Sequence, residues 1–136
     1  MKAKEMFNQI VAENYKEAKA EPANLRKLWN AVVSMNSVAD HLALHQHNYP
    51  SLKRSEVDQR TADVRNQYPD LRDIKFCADT LKHVRHHVGQ LLNASSTGIL
   101  LGDPGTWEIT DGTTRYNLVD TLDRAYATLN SISELK

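Results

Sequence analysis

The stretch from Asn24 to His47, NLRKLWNAVVSMNSVADHLALHQH, constrains this chain more than any other. Within it Leu28, Val32, Met35, Ala39 and Leu42 recur at spacings of four, three, four and three, the period of one face of an α-helix. Leu25, Trp29, Ala31 and Val38 flank that stripe. The apolar face is therefore wide enough for a helix at the centre of a bundle. Tyr49-Pro50 ends it, because proline cannot continue a helix and disfavours helical geometry at the residue before it.

The rest of the chain supplies elements to surround such a helix. A first helix is expected over residues 3–20, with Met6, Ile10 and Tyr15 among its apolar positions, ending near Pro22. Ser51 can cap a third, weakly apolar helix running to about Gln67, with Val57, Thr61, Val64 and Tyr68 as its inward line and a place on the outside of the bundle. Pro69 suits a first helical turn. A fourth helix then runs from Asp70 to about Val88 on a stripe of Ile74, Cys77, Leu81, Val84 and Val88, beside Leu71 and Ala78, and Gly89 can stop it.

Beyond that point TGILLGDPGTWEITDGTTRYN reads as strands and turns. Asp111-Gly112 is a strong hairpin signal, since a type I′ turn needs positive φ at both central residues. A two-residue loop there pairs Glu108 with Arg115 and Trp107 with Tyr116. Such opposite-charge and aromatic pairs contribute from a few tenths to about 1 kcal/mol each. GILL can add a third strand through the Gly102–Gly105 turn. Asn117 caps a final helix, with Asp120 near its positive end and Leu118, Leu122, Ala125, Leu129 and Ile132 facing inward. The expected fold is mostly α: one domain over 1–136, a bundle of about five helices with a small antiparallel β-hairpin (about 98–116) before the C-terminal helix (about 117–135).

Composition narrows the function classes. With 136 residues the chain is long enough for one core, and its 17 basic and 17 acidic residues give no net field to draw it to nucleic acid or an anionic membrane. Cys77 is the single cysteine, so an intrachain disulfide and a cysteine-based zinc knuckle are excluded, and its place on a core stripe makes it an inert thiol. The opening residues lack the apolar run of a signal peptide, and no segment has the length of a membrane span. A cytoplasmic protein without membrane contact is expected. Gly102 to Trp107, GDPGTW, lacks the lysine of a phosphate loop and reads as a turn.

Three of the six histidines, His83, His86 and His87, fall within little more than one turn of the fourth helix. At about 100° per residue, Asp79, His83 and His86 lie opposite its core stripe, with Phe76 and His87 at the shoulder. Phe76 on a polar face calls for a cover, either the hairpin or a second copy of the chain. The second helix carries another pair one turn apart, His41 and His45. Together, His41, His45, His83 and His87 form a candidate set for zinc or another divalent first-row metal, with Asp40 and Asp79 close by. The zincin pattern is excluded, since Leu42 follows His41 and Val84 follows His83. Paired histidines also occur as ordinary surface residues of exposed helices, and no cofactor is needed on that reading.

Ala78 to Val84, ADTLKHV, resembles a segment of bacterial helical proteins related to the HEPN superfamily. There a late helix reads Arg-Asp-x-Ala-Asn-x-x-Lys-His and is followed by strands and a closing helix. Asp79 stands at the Asn position here, with Lys82 and His83 as the Lys-His pair. The resemblance covers the second half of the chain in detail and the first half in general helical character. It implies a helical domain that pairs with a second copy and contacts RNA. The superfamily's ribonucleases use an arginine followed four to six residues on by histidine, without a metal. No arginine of this chain has a histidine at that distance, and the expected arginine position holds Lys75, which can meet a phosphate as a point charge but not as a bidentate fork.

The expectation from sequence is thus an interaction or scaffold domain, a homodimer. Its polar face of Lys75, Asp79, Lys82, His83 and His86 is a nucleotide- or RNA-contacting surface. A metal-independent ribonuclease with an altered motif and a histidine-cluster metal protein are the alternatives. The chemistry argues against an enzyme.

Overall fold

The computed structural model of the protein describes residues 2–44, 52–83, 98–102 and 106–136. Its helices are α1 (3–20), α2 (Leu25–Leu44), α3 (Arg54–Gln67), α4 (Pro69–His83) and α5 (Leu118–Ser131), and a 3₁₀ turn, Ser133–Leu135, closes the chain. Strands β1 (Gly98–Gly102), β2 (Thr106–Thr110) and β3 (Arg115–Asn117) form one antiparallel sheet in the order β1-β2-β3. The mostly helical fold read from the sequence is the observed one, and GILL does supply the third strand. None of the described helices is long and apolar enough to cross a membrane.

The central helix is α2, packed against α1, α3, α4 and α5. Leu28, Ala31, Val32, Met35, Val38 and Ala39 are all fully buried. Facing them are Leu71, Ile74, Cys77, Ala78 and Leu81 of α4 and Leu118, Leu122, Ala125 and Leu129 of α5, each also without solvent exposure. Burying one such large aliphatic side chain stabilises by about 1.5–3 kcal/mol, so the three periodic stripes of α2, α4 and α5 supply a large share of the cohesion. Pro69 is the first residue of α4, where its missing N–H costs nothing. Asn117 caps α5, its Oδ1 accepting from the Asp120 N–H at 3.0 Å. Val84 and Val88 of the expected stripe lie outside the described residues.

Three local expectations need correction. In α1 the buried line is Ala3, Phe7, Val11 and Ala18, with Met6 and Tyr15 half-buried against the core, whereas Ile10 is 38% exposed. Phe7–Val11 forms a π-helical turn between the α-helical segments Ala3–Met6 and Ala12–Ala20. A run at spacing four drifts forward around an α-helix, and a wider π turn cancels that drift, which keeps Phe7 and Val11 on the core. α3 opens at Arg54 with an extended Lys53 at the cap position in place of Ser51, which lies outside the described residues.

The third correction is the hairpin register. Thr110 pairs with Arg115, Ile109 with Tyr116 and Glu108 with Asn117, two residues beyond the expected pairing. Of Asp111 and Gly112, Gly112 alone has positive φ, at 93°, so a type I′ turn centred on them is not formed. Instead Asp111 Oδ1 accepts from the Thr113 and Thr114 N–H groups at 2.8 and 2.6 Å, and the Asp111 N–H donates to the Thr114 carbonyl at 3.2 Å. The side chain of Asp111 thus organises the turn, and those two N–H bonds hold its carboxyl below the usual carboxylate range. A shift of two preserves the face of every side chain. Arg115 and Glu108 still meet diagonally, at 3.8 Å.

The sheet lies against α4 and α5. Ile99, Ile109 and Tyr116 form a cross-strand row, and the Tyr116 ring packs on Phe76 with centroids 5.3 Å apart. Trp107 donates its indole N–H to the Ala23 carbonyl at 2.7 Å, anchoring the sheet to the α1–α2 connection. At the other side of the bundle α1 meets α5 through stacked rings: Tyr15 on Tyr126 at 4.1 Å, and Phe7 on Tyr126 at 5.5 Å. The Tyr15 hydroxyl donates to Asp123 at 2.5 Å, and Lys19 reaches the same carboxylate at 3.0 Å. Burial, and then that bond to Asp123, push the Tyr15 phenol up to about 12.

Candidate functional site

An open groove with a volume of about 1120 Å³ runs along the C-terminal half of α2. α2 contributes Asn36, Asp40, His41, Leu42 and Leu44 to it, and α3 contributes Val57, Asp58, Thr61 and Arg65. Lys75, Asp79 and Lys82 of α4 line it as well, and Lys2, Ala3, Lys4 and Glu134 complete it from the two chain ends. The spacing of Lys75, Asp79 and Lys82 keeps them within about 60° of one another on one polar face of α4, as the sequence indicates. Tertiary packing adds that this face and His41 of α2 border the same space.

Its polar anchor is Arg65, whose side chain is only 4% exposed. One terminal nitrogen donates to Asn36 Oδ1 at 2.6 Å and Asp40 Oδ1 at 2.9 Å, and the other donates to the Thr61 carbonyl at 3.1 Å. Its Nε is buried without an acceptor among the described residues. Arg65 falls one turn after Thr61, next to Val64, so it lies at the edge of α3's inward line. Sequence reading assigned that line to apolar residues and missed it. The available signal was an arginine at that position in a helix otherwise too polar to hold itself to the bundle. Asn36, which interrupts the apolar pattern of α2, was the complementary signal.

The remaining charges divide into paired and unpaired groups. Lys75 and Asp79 form an i,i+4 bridge at 2.6 Å, both half-exposed, a class that contributes about 0.3–0.5 kcal/mol. Asp58 lies 4.0 Å from Arg54. Among the described residues no carboxylate pairs with Lys2, Lys4 or Lys82, and Glu134 is the one carboxylate of the groove without a cation. Three unpaired ammonium groups therefore surround an opening whose own anions are mostly engaged.

His41 Nδ1 lies 2.9 Å from the Ser37 carbonyl. A carbonyl only accepts, so that nitrogen carries the proton and the neutral ring has its lone pair on Nε2. Of the candidate metal set, His45 and His87 lie outside the described residues, and His83 is the last residue of α4. His86 of the polar face also lies outside them. Among the described residues no three His, Cys, Asp or Glu side chains gather as a metal site would require. Phe76, beside the polar face, is covered by Tyr116 of the sheet, so it gives no argument for a second copy of the chain. Cys77 is buried in the core as expected, and burial pushes its thiol up to about 12.

Comparison with protein-family models, with curated proteins and with solved structures found no match to this chain. The chemistry of the groove therefore carries the functional argument.

Proposed function

We propose that the protein is a binding domain, without catalytic chemistry of its own, whose groove along α2 takes a small anionic ligand. The observation that carries this is the set of three lysines around the groove, Lys2, Lys4 and Lys82, that have no carboxylate partner among the described residues. A buried arginine anchors the same space, and partly apolar walls lower the local dielectric, which strengthens attraction to an anion relative to open water. Lys75 adds a fourth cation that an anion can share with Asp79. The HEPN-related resemblance of Ala78–Val84 enters the same proposal, since its Lys82 and the Asp79 beside it both border the groove. Lys75 at the position of the ribonuclease arginine supports binding over cleavage, because an ammonium lacks the fork that grips a phosphorane.

The test is thermal unfolding of the full chain with a panel of small anions: pyrophosphate, nucleotides, and short and medium aliphatic carboxylates. A ligand at 100 times its Kd stabilises by about 2.7 kcal/mol, a shift well above measurement error. At least one anion is expected to protect, less so in high salt, and Lys4→Glu combined with Lys82→Glu is expected to remove the protection. If no anion protects, or if charge reversal at both lysines leaves protection intact, the groove is not the binding site.

A further inference from the structure

The walls of the groove say more about its ligand than the charge does. Leu42, Leu44, Val57 and Ala3 are aliphatic and line the space beside the lysines. The aromatic side chains among the described residues are all engaged in packing. Phe7, Tyr15 and Tyr126 stack between α1 and α5, and Phe76 and Tyr116 meet under the sheet. Trp29, Tyr68 and Trp107 pack against the core, and none of the eight lines the groove. A flipped-out or single-stranded nucleobase is ordinarily held by an aromatic ring or the flat face of an arginine. The one arginine of the described lining, Arg65, is buried and holds Asn36 and Asp40.

We infer that the ligand is a small amphiphile, an anionic head on an aliphatic body, with the head among Lys2, Lys4 and Lys82 and the body along Leu42, Leu44 and Val57. The inference rests on the groove being the ligand site proposed above. At about 1120 Å³ the groove exceeds the about 300–1,000 Å³ common for small-ligand pockets, so it has room for such a molecule without enclosing it. Charge complementarity fixes the sign of the head, and the aliphatic lining rewards methylene groups without requiring a π surface. A carboxylate and a phosphate monoester share this chemistry, so decanoate and decyl phosphate serve as two probes of one class.

The experiment is equilibrium binding to the full chain, by calorimetry below micelle-forming concentrations, across hexanoate, octanoate and decanoate, with decyl phosphate, decanol, decylamine and ATP beside them. Burial of each added methylene is expected to tighten binding about 3–4-fold, from the usual transfer free energy per CH₂. Decanol and decylamine are expected to bind at least 10-fold more weakly than decanoate or decyl phosphate. Lys82→Glu should weaken both anions at least 10-fold, and Lys82→Arg should restore them. Val57→Asp should flatten the chain-length dependence. Lys82 is exposed, so its variants test the head even where Val57→Asp unfolds the protein.

Binding that follows chain length but ignores the head charge or Lys82 would place the aliphatic probes elsewhere and overturn the inference. Protection by ATP or pyrophosphate with no binding of either decyl anion would overturn it too, while leaving the anion-binding groove in place. Failure of every anion would remove both.

Discussion

Replacing Asn36 by alanine should destabilise the protein more than neutralising Asp40, although Asp40 carries the charge. Arg65 is buried, with its side chain 4% exposed, and it donates to both residues from the same nitrogen. Asn36 is buried alongside it, whereas the Asp40 side chain is 46% exposed. Removing the Asn36 oxygen leaves a buried cation short of an acceptor that water does not readily replace, a loss of roughly 1.5–3 kcal/mol for a bond to a charged group. Alanine returns up to about 0.6 kcal/mol through its better helix propensity, so the net cost is about 1–2 kcal/mol. Asp40→Asn keeps an oxygen in place and removes only a charge that water already screens, which costs about 0–1 kcal/mol. For a domain of this size these correspond to Tm losses of roughly 3–10 °C and under about 4 °C. Urea unfolding of both variants, at low salt and in 1 M NaCl, provides the assay. The Asn36→Ala cost should persist in salt and the Asp40→Asn cost should shrink. Should Asp40→Asn cost as much as Asn36→Ala, the argument from burial is wrong and the ion pair is what holds α3 to α2.

Three further expectations follow from the geometry. Gly112→Ala should cost about 1–2 kcal/mol, because φ of 93° is unfavourable for any residue with a Cβ, and urea unfolding would show it; an unchanged midpoint would mean that the turn relaxes. The Tyr15 phenol is raised when folded, so its contribution to stability is complete below pH 10 and is lost as pH rises from there towards about 12. Tyr15→Phe should flatten the fall in stability over that window, and a parallel profile for the variant would refute the raised Tyr15 phenol as its cause. Cys77 should react with a thiol reagent only at the rate of unfolding, and rapid labelling of native protein would contradict its burial in the α2–α4 core.

The periodic stripes of the second, fourth and last helices, the Asn117 cap, the Pro69 start and the presence of strands near Asp111-Gly112 were legible in the sequence. Each is a local rule: a side chain's face follows from its spacing, and a cap or turn residue acts within a few positions of itself. The exposure of Ile10 was not legible, because the choice of a π turn at Phe7–Val11 depends on what α2 offers the first helix. The hairpin register was not legible either, since both candidate pairings keep the same faces. The Asp111 carboxylate and the place of the sheet on α4 and α5 decided between them. Nor does spacing say which partner a polar residue finds: Arg65 with Asn36, Trp107 with Ala23 and Phe76 with Tyr116 are separated by 29, 84 and 40 positions. By itself, then, the sequence determined the helical class of the protein and the face of α4 that carries Lys75, Asp79 and Lys82. Only the tertiary structure joined that face to His41, Arg65 and the lysines near the N-terminus in one groove, because side-by-side placement of distant helices is set by the packing of the whole core and not by any local pattern.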